Sequence, residues 1–162
     1  MQHTISVLVV NQSGVLSRIS GLFSGRGFNI ESLNVAETND PGISRMTIIT
    51  LGDDKKIEQI TKQLNKLIDV IKVVDLTEEH FVDRELILVK MNSEPRVREE
   101  ILRIVDIFRA KVIDVSPDNY TVEITGDEGK IKGFLDLLKP LGIKEIVRSG
   151  RIAISRGSKS IN

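Results

Sequence analysis

The residues best suited to binding something are Asn11-Gln12-Ser13-Gly14-Val15-Leu16-Ser17-Arg18, between a strand-like and a helix-like stretch. A helix start exposes backbone N–H groups that lack intrahelical partners and carries partial positive charge, so it suits a carboxylate. Gly14 has no Cβ and lets a ligand approach the backbone. Asn11 and Asn29 each offer an amide donor and acceptor, the mixed set that a zwitterion's ammonium and carboxylate require. Leu16 and Ile30 suit a small aliphatic side chain. On local physics alone, the same residues also fit a tight turn and helix entry with no ligand.

Other constellations are poor. His3 opens the first strand-like segment and His80 sits near mid-chain, with no partner at metal-ligand spacing; both read as surface residues. No pair of carboxylates is marked out for acid–base work, which needs convergence in a cleft. Gly157-Ser158-Lys159-Ser160 only echoes a phosphate loop and has no helix after it, and Gly25-Arg26-Gly27 closes a helix where a dinucleotide loop must open one. The strand Ile43–Thr50 carries no aromatic residue, nor does Thr4–Val10, so base stacking of the RNA-recognition type is disfavoured. An enzyme reading of the isolated chain is weak.

The elements that must position these residues follow from periodicity. Thr4–Val10 is β-branched and short; Val15, Leu16, Ile19, Leu22 and Phe23 recur at helical spacing. Asn29–Glu37 and Ile43–Leu51 read as strands around the turn Asn39-Asp40-Pro41-Gly42. A helix with Ile57, Ile60, Leu64, Leu67 and Ile68 as its stripe follows, then a strand over Val70–Leu76. The same order recurs about 80 residues later, with Pro95 placed for the first turn of a helix and Asp127 leading into another. The expected fold is α+β: two tandem βαββαβ ferredoxin-like domains, each an antiparallel sheet with helices on one face. The expected boundaries are residues 1–78, a linker at 79–83, and residues 84–162 with a basic tail at 155–162. A unit of this size leaves a sheet face and strand edges uncovered, so oligomerisation is expected. The basic end, with Arg148, Arg151, Arg156 and Lys159, reads as a solvated tail or as a docking surface for an acidic partner.

Composition narrows the function. The 162 residues hold 23 basic and 23 acidic side chains and are 40% hydrophobic, which excludes intrinsic disorder and removes the basic surplus that general nucleic-acid binding needs. With no cysteine there is no disulfide framework, thiol nucleophile or Cys-ligated zinc. No apolar run approaches a membrane span, and the start lacks a signal peptide's regions, so a cytoplasmic protein that binds no membrane is expected.

The runs Ser6-Val7-Leu8-Val9, Asn11–Arg18, and Gly21-Leu22-Phe23-Ser24-Gly25-Arg26-Gly27-Phe28-Asn29-Ile30-Glu31-Ser32-Leu33 closely resemble the ACT domain of acetolactate synthase (acetohydroxyacid synthase) small regulatory subunits. The resemblance continues through Ser44–Ile48, Gln63–Val70, Arg84–Lys90, Ile113–Val115, Tyr120–Val122 and Arg148-Ser149-Gly150, and so covers essentially the whole chain. It implies a non-catalytic subunit that binds the thiamine-diphosphate-dependent large subunit, raises its activity and confers feedback inhibition by valine in branched-chain amino acid biosynthesis. It implies a homodimer through ACT domains with valine between them: Asn11, Gly14, Val15 and Leu16 on one wall, Asn29 and Ile30 of the other chain opposite. No cofactor is expected in this chain; thiamine diphosphate, Mg and FAD belong to the catalytic partner. A rival reading is a free-standing ACT-domain amino-acid sensor acting on another partner.

Overall fold

The computed structural model describes residues 1–161. The chain divides into two compact units, Met1–Val82 together with the segment from Arg151 onward, and Asp83–Gly150.

The first unit runs β1(Gln2–Val10), α1(Val15–Gly25), β2(Ile30–Glu37), β3(Ile43–Leu51), α2(Asp54–Asn65) and β4(Val70–Asp75). Its sheet has the order β2-β3-β1-β4, antiparallel throughout. Alternation along β1 sends Ile5, Val7 and Val9 to the helix side, where they join Ile19 and Phe23 of α1, Met46 and Ile48 of β3, and Ile57, Ile60 and Leu64 of α2. The second unit repeats the plan with β5(Phe81–Asn92), α3(Pro95–Ile107), β6(Lys111–Val115), β7(Asn119–Gly126), α4(Glu128–Gly142) and β8(Ile143–Arg148), in the order β6-β7-β5-β8. Its core gathers Ile87, Val89 and Met91 against Ile101, Ile104, Ile131, Phe134 and Leu138, with Phe108 meeting Phe134 edge-on at 5.4 Å. The expected fold class is therefore the observed one. Among the described residues, no helix is long and apolar enough to cross a membrane.

Two helix starts show their cause directly. Asp53 accepts a hydrogen bond from the Lys56 backbone N–H at 2.8 Å, and Asp127 accepts one from that of Lys130 at 2.9 Å. Each satisfies a donor the helix leaves unpaired. Replacing Asp127 by Ala is expected to cost the second unit about 1 kcal/mol, readable as a lower urea midpoint with an unchanged slope.

The segment after Gly150 departs from the boundaries expected above. β9(Ile152–Ser155) pairs with β5, the strand that leads out of the first unit, and groups with that unit. The Arg156 N–H donates to the His80 carbonyl, and Ser155 and Lys159 both donate to the Glu79 carboxylate. Ala153 and Ile161 are buried. The tail is thus not simply solvated: Ile161 gives it something to bury, and Lys159 finds a local acid in Glu79.

His3 is likewise not a surface residue. β1 begins at Gln2, so His3 already pairs with Thr50 inside the sheet and is only 3% exposed. Its Nδ1 faces Asp75 Oδ2 at 3.1 Å. His80 is exposed, as expected.

Candidate functional site

Gly14 is the N-cap of α1, with φ +86° and ψ −9° and no side-chain hydrogen bond to the helix start. That left-handed backbone favours glycine. Unlike α2 and α4, α1 has no carboxylate cap; the Val15 N–H turns back to the Gln12 carbonyl at 3.5 Å, and those of Leu16 and Ser17 are left to solvent or a ligand. Asn11 does not cap it either: its Nδ2 donates to the Pro41 carbonyl at 2.9 Å, which leaves the amide oxygen as the group on offer.

The remaining residues divide by burial. Asn11, Gly14 and Asn29 are exposed, and Leu16 is 43% exposed. Val15, by contrast, is buried in the core at 3%, so it presents backbone rather than side chain. Ile30 is half-buried against the same core. The Asn29 carbonyl accepts from Thr50 Oγ1 at 2.7 Å, which anchors the start of β2 to β3.

Arg18 adds a charge that the residue pattern did not single out. It stands one helical turn after Gly14, and its N–H closes the first intrahelical bond to the Gly14 carbonyl at 3.0 Å. A Cβ built on Gly14 would lie 3.0 Å from Arg18 Nη1, so the guanidinium sits beside the helix start. Its Nε donates to Asp69 Oδ2 at 2.7 Å, leaving the Nη groups as further donors. The i, i+4 spacing from Gly14 was the available signal. An uncapped helix start, an adjacent guanidinium and a neighbouring amide oxygen can together hold a carboxylate and an ammonium.

The two walls do not meet within one chain. α1 has 11 residues, so at 1.5 Å per residue Gly14 and Asn29 are separated by a helix about 16 Å long. β2, which begins beside Asn29, is the edge strand of its sheet and, among the described residues, pairs only with β3.

Residues 5–72 match the family described as AHAS small subunit-like ACT domain, and residues 84–157 match the family described as small subunit of acetolactate synthase. The chain is 53% identical over 159 residues to a probable acetolactate synthase small subunit of Archaeoglobus fulgidus, covering 98% of this chain and 99% of the other. It is 51% identical over 162 residues to the acetolactate synthase small subunit of Haemophilus influenzae, covering 99% of each. The crystal structure of the small subunit from Thermotoga maritima superposes with a TM-score of 0.89 at 42% identity, covering 98% of this chain and 99% of that one. Similarity of this extent, over both units and at full length, shows that the chain belongs to the acetolactate synthase small-subunit family.

Proposed function

We propose that the chain is a non-catalytic regulatory subunit that binds the acetolactate synthase large subunit, raises its activity and makes it sensitive to valine. The observation that carries the valine reading is the uncapped, glycine-initiated start of α1 with Arg18 beside it. Valine's carboxylate takes the free N–H groups, its ammonium meets the Asn11 amide oxygen, and Leu16 meets its isopropyl group. Thiamine diphosphate, Mg and FAD act in the large subunit, and this chain contributes none of the chemistry. Cytoplasmic location follows from that partnership.

Asn29 and Ile30 complete the site from a second copy. The exposed edge of β2 supports a two-fold pairing, since an unpaired edge is a template for another strand. An antiparallel β2–β2 contact reverses the partner chain, so the partner subunit's Asn29 comes to the end where Gly14 lies. Val35 on β2 and Leu16 on α1, 41% and 43% exposed, supply apolar area for the contact. Valine bridging two chains favours one dimer arrangement, and it acts on catalysis only by its different affinity for the two arrangements.

The test is reconstitution. The purified chain is added to the large subunit, and acetolactate formation is followed with and without valine. Activation that valine reverses is expected; no change in rate on adding the chain overturns the reading. Saturable valine binding by a chain that neither associates with the large subunit nor alters its rate would favour the free-standing sensor instead.

A further inference from the structure

β3 places Arg45 opposite Leu8. Met46 and Ile48 point into the core below the helices, so alternation puts Arg45 on the other face of the sheet. Two neutral acceptors hold its guanidinium: Nε donates to Ser6 Oγ at 3.0 Å and Nη2 to the Ala153 carbonyl at 3.1 Å. Three of its five N–H donors remain. Among the described residues no carboxylate forms an ion pair with Arg45, and burial, with no opposing charge, pulls its pKa below the ordinary arginine value. A cation that is fixed in position and partly desolvated gains from an anion that joins it.

The guanidinium opens on a cavity of about 100 Å³ lined by Arg45, Ile154, Ser155, Lys159, Ser160 and Ile161. Lys159 brings a second cation. The nearby Glu79 carboxylate accepts from both Lys159 and Ser155 at 3.3 Å and offsets only one of the two positive charges. A space of this size has room for a small tetrahedral oxyanion.

We propose that this cavity binds a small oxyanion of phosphate or sulfate size, held by the free Arg45 donors and by Lys159. The site is separate from the α1 start and does not depend on valine. Because Arg45 comes from β3 and Lys159 from the segment after β9, the anion ties the end of the chain to the central sheet of the first unit. Its binding therefore raises the stability of that unit.

The experiment is a thermal-unfolding and calorimetric titration of the full chain with inorganic phosphate, at ionic strength held constant with chloride. A saturable rise in Tm and a saturable heat are expected, with sulfate competing. Arg45→Gln is expected to weaken binding at least tenfold and Lys159→Gln several-fold. No saturable effect beyond chloride, or an unchanged phosphate response in Arg45→Gln, overturns the proposal. Should circular dichroism show Arg45→Gln unfolded, Lys159→Glu decides: loss of the phosphate response supports the site, and a response equal to that of the unaltered chain overturns it.

Discussion

Replacing Gly14 by Asp is expected to abolish valine inhibition of the reconstituted enzyme while the chain still folds and still activates the large subunit. The backbone at position 14 has φ +86°, which Asp adopts more readily than most residues, at a cost of about 1–2 kcal/mol. The new Cβ would meet only the end of the flexible Arg18 side chain, which can move aside. The fold therefore survives. The site does not, because the substituted carboxylate lies beside the Arg18 guanidinium and the free N–H groups that the ligand's own carboxylate would use. It competes for the donors and repels the incoming charge. Hydrogen bonds to a charged group are each worth about 1.5–3 kcal/mol, so loss of one or two weakens binding by roughly a hundredfold. Gly14→Ala separates backbone strain from charge, since it carries a φ penalty at least as large as that of Asp but no carboxylate, and it is expected to retain partial inhibition. Calorimetric titration with valine, alongside inhibition assays of both variants, checks this. A Gly14→Asp chain that binds valine as tightly as the unaltered one removes the ligand from the α1 start.

The largest expected loss of stability lies in the second unit. Glu85 on β5 has a side chain only 4% exposed, and Arg148 at the end of β8 grips it with two hydrogen bonds of 2.7 and 2.8 Å. Hydrogen bonding to Glu85, opposed by burial and aided by its charge, holds the Arg148 guanidinium above the ordinary arginine pKa. A group whose folded pKa is raised contributes stability that is fully present below its unfolded value and is lost as pH rises through the folded one, so the arginine's contribution fades in strong alkali. Arg148→Ala leaves the Glu85 carboxylate buried without its partner and is expected to destabilise the unit by about 3 kcal/mol. The lower end of the buried-pair range applies because the Arg148 side chain is 54% exposed, so water can partly replace it. The double replacement Glu85→Leu with Arg148→Met is expected to recover much of that loss, since neither charge then remains to be compensated. Tyr120, the chain's sole tyrosine in the absence of tryptophan, lies on β7 and reports this unit's urea unfolding by fluorescence. A cost below about 1 kcal/mol for Arg148→Ala would place the pair with ordinary surface ion pairs.

The strand and helix order of both units was legible from the residues. Two-residue alternation in Val7 and Val9, and the spacing of Ile57, Ile60 and Leu64, are local signals that each element carries within itself. The pattern also located the α1 start, because Asn11 and Gly14 announce a turn and a helix entry whatever surrounds them. Other features depend on residues far apart in the chain, and no local period encodes those. His3 is buried because β1 is flanked on both sides, by β3 and β4. Arg151 onward joins the first unit because Ala153 and Ile161 find burial there, although they follow the second unit in sequence.

By itself, then, the sequence determined the doubled βαββαβ plan, the family and the residues at the α1 start, since each rests on short-range periodicity or on contiguous motifs. Only the tertiary structure decided that Asn11 spends its amide N–H on the Pro41 carbonyl and that Val15 turns its side chain inward. It alone brought Arg45 to a cavity built from residues more than a hundred positions later in the chain. Those outcomes follow from sheet register and long-range burial, quantities fixed by the packing of the whole unit and not by the composition of any one segment.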